Sequence, residues 1–258
     1  MAWGMDLDLA ALYRAGLLAM AAWTVVTVAL LARLVAPYGR HARPGWGPTL
    51  PARWGWILFE SPAVFLFVPL VLAGPRGTDA AALALAALWL VHYLHRDLVW
   101  PFRMTSGRKP MPVVVVATAF AFQVLNSGLV ALWLGHLGDY PAGWLADPRF
   151  LAGAALFLAG FAVNVHADHV LFTLRAPGEV GYKVPRGGLY RFVSCPNYLG
   201  ELVAWAGFAL ASWSLAGLAF AVYTAANLVP RAVAHHRWYR ATFADYPRER
   251  RALIPGLL

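Results

Sequence analysis

Seven long apolar stretches, poor in charge and separated by short gaps, constrain this chain more than any other feature. They fall at about 9–35, 54–73, 80–100, 111–134, 150–174, 198–213 and 215–233. A helix needs roughly 20 apolar residues to cross the hydrocarbon core of a bilayer, and each stretch reaches or approaches that length. The last two are divided only by Ser212-Trp213-Ser214, so they predict a tight helical hairpin. Pro62 and Pro69 predict a kink in the second stretch, which a membrane helix tolerates when neighbours satisfy the freed carbonyls. Hydrophobic residues make up 60% of the chain and charged ones only 13%, too few to cover a soluble domain of this size. The fold class read from these features is all-α, a polytopic membrane protein of seven transmembrane helices forming one domain over residues 1–258.

The net charge of +9 would suit a nucleic-acid binder, but the basic residues sit in the gaps between apolar runs, a pattern of membrane topology rather than of nucleic-acid binding. Eighteen of the 21 Lys and Arg fall at the ends of the first, third, fifth and seventh stretches or in the segments that follow them; only Arg14, Arg76 and Arg149 fall on the other side. By the positive-inside rule the N-terminus is outside and the C-terminus cytoplasmic. Asp6 and Asp8 stand where a signal peptide would be basic, so the first stretch reads as a retained helix. Cys195 is the only cysteine, which leaves no intrachain disulfide and no cysteine-based metal cluster. The eight histidines show no defined ligand spacing, and no metal is expected.

Ionisable groups inside a membrane are costly and commonly functional. Here they share one depth. Glu60 opens the second stretch; His92, Tyr93, His95 and Arg96 close the third; Asn164, His166, Asp168 and His169 lie in the inner half of the fifth. Asn197 and Glu201 open the sixth predicted helix, and Arg231, His235, His236 and Tyr239 close the seventh. Asn164 and Asp168 are four apart and share a helix face, to which Arg175 returns; Asn227, Arg231, His235 and Tyr239 make a four-residue ladder. These stripes predict a pocket opening to the cytosol. Asn164 and Asp168 also fit interhelical hydrogen-bond glue, and Arg231 also fits a side chain snorkelling to the headgroups. Neither a Walker A loop nor G-x-G-x-x-G is present. A nucleotide would need side chains and helix ends, such as the loop 177–196 and the helix N-terminus after it.

At these residues the chain resembles the steroid 5α-reductase family, the 3-oxo-5α-steroid 4-dehydrogenases. The resemblance runs from Glu60 to the C-terminus. It rests on Asn164-Val165-His166-Ala167-Asp168, Leu174-Arg175-Ala176-Pro177-Gly178-Glu179, Pro185-Arg186-Gly187-Gly188-Leu189-Tyr190 and Asn197-Tyr198-Leu199-Gly200-Glu201. His92-Tyr93-Leu94-His95-Arg96, His235-His236-Arg237-Trp238-Tyr239, Asp245-Tyr246-Pro247 and Ala252-Leu253-Ile254-Pro255 add to it. The resemblance implies a seven-helix enzyme that reduces the Δ4 double bond of a 3-oxo-steroid with NADPH. It implies that Asn164, Asp168, Arg175, Tyr182, Asn197, Arg231, His235 and Tyr239 hold the dinucleotide. Glu60 and Tyr93 would face the steroid carbonyl, and Trp205 would line the steroid cavity. Phe59 departs from the pattern, since the animal enzymes have Gln before the Glu, which bears on substrate preference.

The chemistry is coherent on its own terms. Conjugate hydride addition to an enone places negative charge on the carbonyl oxygen, so donors must stand there. A Tyr hydroxyl donates, and a Glu in low-dielectric surroundings donates as the neutral acid. The expected partners are a steroid or related lipophilic enone and membrane lipid, with the chain acting as a monomer. The expected location is the bacterial inner membrane, or the endoplasmic reticulum for a eukaryotic chain. The alternative is a methyltransferase of the isoprenylcysteine type using S-adenosylmethionine, whose motif resembles Pro196–Glu201. A small transporter or lipid-binding membrane protein would also account for the helices and the pocket.

Overall fold

The computed structural model describes residues 8–104, 107–176, 179 and 181–258. Pro177 and Gly178 of the Leu174–Glu179 segment, and Asp6, lie outside the described residues. Seven helical rods form the bundle: α1 Leu9–Leu31, α2 Ala52–Leu72, α3 Ala80–Arg103, α4 Val113–Leu137, α5 Pro148–Thr173, α6 Pro196–Ser212 and α7 Leu215–Thr242. All but α6 are long and apolar enough to cross a membrane by length and composition; α6, with 17 residues, is the shortest. A two-stranded antiparallel ladder, β1 Thr49–Pro51 against β2 Pro110–Pro112, is the small exception to an all-α fold.

Proline chemistry sets the local irregularities. The α2 rod breaks at Ser61 and Leu66, in the region where Pro62 and Pro69 interrupt the ladder. Pro62 has no N–H for the Leu58 carbonyl, and the Ser61 hydroxyl donates to that carbonyl instead, at 2.8 Å. The α6–α7 hairpin turns on Trp213, whose φ of 43° is left-handed. Ser214 caps α7 by accepting from the Gly217 amide at 3.0 Å.

Loops alternate between the ends of the bundle. Those after α1, α3 and α5 meet the C-terminal tail at one end, through the β1–β2 ladder, a Lys109–Tyr182 hydrogen bond of 3.1 Å and a bridge between Val193 and Arg251. The loops after α2, α4 and α6 meet at the other, where Arg76 N donates to Gly135 O and Tyr140 donates to Ser212 O. The charge-rich gaps of the sequence therefore share one end.

The closest helix pair is α5 with α6. Gly153 and Gly160 of α5 face Gly207 and Gly200 of α6, and a Cβ built on Gly160 would stand 2.6 Å from the Gly200 carbonyl oxygen. Without a hydrophobic drive between helices in lipid, such close backbone approach is what holds two of them together. The seam ends at Asn164 and Asn197 and so fixes their spacing.

Candidate active site

A cavity of about 370 Å³ opens among the ends of α2–α7 and the loops at the charged end. Glu60, Tyr93, Asp168, Arg175, Tyr182, Asn197, Trp205, Arg231, His235 and Tyr239 all line it. Asn164 does not: it is buried behind the wall, donating to Asn197 O at 3.0 Å and to Glu201 at 3.3 Å. Arg175 reaches the cavity by a route unlike the one expected. The α5 helix ends at Thr173, so Arg175 lies in the following loop, where it donates to the Gly181 carbonyl at 2.8 Å.

The wall joining these residues is one polar network centred on Arg96. Its guanidinium lies 3.3 Å from Glu201 and 3.4 Å from Asp168, and against the paired rings of Trp56 and Trp100 at 4.7 and 4.5 Å. Asp168 also accepts from Trp100 Nε1 at 2.6 Å and from Asn197 Nδ2 at 3.1 Å. Buried carboxylates this well surrounded are held in one geometry.

At the deep end, Glu60 accepts a 2.6 Å hydrogen bond from Gln123 of α4, and Gln123 accepts from Asn126 at 3.2 Å. Tyr93 packs on Trp205 at 5.6 Å, and Trp205 on Phe220 at 4.5 Å. Phe122 stacks on Tyr223 at 3.7 Å. This part of the cavity is an aromatic pocket with a few polar groups at one place.

The mouth is basic. Arg231 is buried, donates to Tyr198 at 3.0 Å and lays its guanidinium 3.9 Å from the Tyr38 ring centroid, so it points inward and does not snorkel. Arg40 donates to Tyr239 at 3.2 Å and stacks on Trp238 and Tyr239. His41 is 2.9 Å from His235, which in turn is 3.2 Å from the Tyr198 hydroxyl. Burial, with Arg231, Arg40 and Arg43 nearby, pushes His41 down to about 4, so it is neutral at pH 7. Burial pushes the Cys195 thiol up to about 12, leaving it an inert neighbour of the site.

Sequence reasoning missed several of these groups. Gln123 and Asn126 stand three apart in the apolar α4 and were open to the rule that polar residues in a membrane span carry a purpose. Tyr38, Arg40 and His41 gave no such signal, because a loop residue reads as topology until the fold brings it over the cavity.

Residues 109–258 match the family described as 3-oxo-5-alpha-steroid 4-dehydrogenase. The chain is 47% identical over 240 residues to 3-oxo-5-alpha-steroid 4-dehydrogenase 1 of Bos taurus, covering 91% of this chain and 92% of that protein. Against the Homo sapiens protein of the same name it is 45% identical over 224 residues, 85% of each. It is 45% identical over 227 residues to Steroid 5-alpha-reductase DET2 of Gossypium hirsutum, covering 86% of this chain and 88% of that protein. The methyltransferase alternative finds no support in these matches.

Proposed function

Because this chain belongs to the 3-oxo-5-alpha-steroid 4-dehydrogenase family, we propose that it reduces the Δ4 double bond of 3-oxo-Δ4-steroids to 5α-dihydro products with NADPH. It is an oxidoreductase acting on a CH–CH bond, in a multi-pass membrane fold. The observation that carries the finer reading is one cavity with a basic mouth and an aromatic deep end holding Glu60 and Tyr93.

The residues present fit a dinucleotide. Arg40, Lys109, Lys183 and Arg231 face the cavity with donors suited to phosphates. The Tyr190 hydroxyl and Trp56 Nε1 are buried at its wall without hydrogen-bond partners, which is the condition of groups kept for a ligand. Asp168, Arg175, Tyr182, Asn197, Arg231, His235 and Tyr239 would hold it, with Asn164 setting the position of Asn197 from behind. When bound, NADPH supplies the hydride that the β-carbon of the enone takes up.

The protein's own contribution is to bind, orient and polarise. The Phe122, Tyr223, Phe220 and Trp205 walls exclude water from an apolar steroid. Glu60 and Tyr93 donate to the steroid carbonyl oxygen as negative charge gathers there, and a proton delivered to the α-carbon completes the reduction. With its C-terminus cytoplasmic, the basic mouth opens toward the soluble cofactor pool.

The direct test is purified protein in detergent with NADPH and a 3-oxo-Δ4-steroid. Nicotinamide absorbance should fall in step with formation of a 5α-dihydro product. No oxidation of NADPH, or turnover of S-adenosylmethionine instead, would reject the reading.

A further inference from the structure

Glu60 sits on α2, yet no hydrogen bond to its carboxyl comes from α2. The residue before it is Phe59, which packs on Trp56 with ring centroids 4.8 Å apart. The group that meets Glu60 comes from α4: Gln123 Nε2 donates to Glu60 Oε2 at 2.6 Å. Behind it, Asn126 Nδ2 donates to Gln123 Oε1 at 3.2 Å. All three side chains are buried, and both Glu60 and Gln123 line the cavity.

The direction of the chain matters. An amide has a donor end and an acceptor end. With its oxygen accepting from Asn126, Gln123 turns its NH2 end, a donor, toward Glu60. That fixes which carboxyl oxygen accepts from the protein: Oε2 is occupied, and among the described residues no group bonds to Oε1. A proton on the neutral acid is then directed to Oε1, the oxygen left free for a substrate. A simple interhelical clasp would satisfy its polar atoms at both ends. Here Asn126 Oδ1 is buried without a partner, and the other end of the chain stops on a cavity carboxyl.

We propose that Gln123, oriented by Asn126, is a positioning residue that holds the Glu60 carboxyl with its Oε1 edge toward the carbonyl of the bound enone. The proposal rests on the catalytic reading of Glu60 given above, and its test separates the two. Gln123→Met keeps the length of the side chain and removes the donor. The first readout needs no turnover: the infrared carboxyl band of Glu60, assigned by subtracting the Glu60→Gln spectrum, should shift in Gln123→Met. The second is kinetic. Gln123→Met should lower kcat roughly 3- to 10-fold, as loss of a hydrogen bond between neutral groups does, with KM for NADPH unchanged. In a Glu60→Gln background the same substitution should cost less than about twofold, because the two residues act as a unit. If Gln123→Met does not fold, Asn126→Leu leaves Gln123 in place, frees its amide to turn, and should give a smaller band shift in the same direction. A Glu60 band that does not move, or a kcat cost equal in both backgrounds, overturns the proposal. Wild-type protein that turns over no enone rejects the catalytic reading instead, and the band still decides the positioning.

Discussion

The Arg96 guanidinium lies 3.3 Å from the Glu201 carboxylate, and the same side chain reaches Asp168 at 3.4 Å, so one cation from α3 ties α5 to α6. Side chains on all three residues are nearly closed to solvent, 12%, 12% and 3% exposed respectively for Arg96, Glu201 and Asp168. Removing the shared partner of buried charges costs about 3–5 kcal/mol, chiefly by leaving the others unpaired. Arg96→Met should therefore lower the melting temperature sharply. Arg96→Lys should not rescue it, since an ammonium spans two carboxylates and two indole faces poorly. A Lys variant as stable as the wild type would mean that the network is not under load.

Arg231 carries the next prediction. Its inward bond to Tyr198 and its position over Tyr38 join the loop after α1 to α7 at the mouth. If it meets a phosphate there, Arg231→Ala weakens NADPH binding by about 1.5–3 kcal/mol, roughly 10- to 100-fold in Kd. Titration of tryptophan fluorescence with NADPH would measure this. Unchanged affinity would leave Arg231 as a brace between loop and helix.

The α5–α6 seam is testable at one atom. Gly160→Ala places a methyl 2.6 Å from Gly200 O, against backbone that cannot swing aside. The expected cost is about 1–3 kcal/mol, with NADPH affinity falling as Asn164 and Asn197 move apart. Gly128→Ala in α4 meets nothing within 4 Å and is the control, expected to leave both properties intact. Thermal melting and cofactor titration of the two variants decide it.

Much of this was legible in the sequence, and the omissions have physical reasons. Seven apolar runs gave seven rods, and Ser212-Trp213-Ser214 gave the hairpin, because membrane length and turn chemistry are local properties. The proline breaks in α2 followed from the same kind of argument. The ladder Asn227, Arg231, His235 and Tyr239 lies on one helix, and all four line the cavity. Arg175 reads as part of the α5 face because the stop signal, Pro177-Gly178, comes two residues after it, while the helix itself ends at Thr173. Asn164 looked like a wall residue, since periodicity tells which face a residue takes but not what stands in front of it. The glycine seam spaced by sevens went unread for a related reason: small residues signal contact only when the partner helix is known.

His41 supplies a pH prediction. Its value falls from 6.5 to about 4 in the folded protein, so between those limits the unfolded chain binds more protons. Stability therefore rises with pH across that window. The contribution is fully present above 6.5 and is lost as pH falls toward about 4. Removing the titrating ring should flatten that part of the profile. Melting temperature of cofactor-free wild type and His41→Gln, followed from neutral to mildly acidic pH, should show a steeper acid-side decline in the wild type. Parallel curves would exclude His41 as the titrating group.

The last prediction concerns Glu60 and Tyr93 as paired donors to the developing charge on the carbonyl. Losing one leaves the other, so Glu60→Ala or Tyr93→Phe alone should cost roughly 2.7–4 kcal/mol, on the order of 100- to 1000-fold in kcat. Glu60→Gln is the informative change. An amide still donates a hydrogen bond but carries no exchangeable acid, and it keeps the shape that Gln123 meets at 2.6 Å. If Glu60 serves as a donor, Glu60→Gln retains far more turnover than Glu60→Ala, while NADPH affinity is the same in both. A packing role predicts otherwise: melting temperature and cofactor affinity would fall together, with no selective loss of kcat. Because Glu60 faces the cavity and takes its one hydrogen bond from α4, both substitutions should leave the bundle folded. Equal kcat for wild type and Glu60→Ala, at unchanged stability, would take the residue out of the chemistry and leave Tyr93 to carry it.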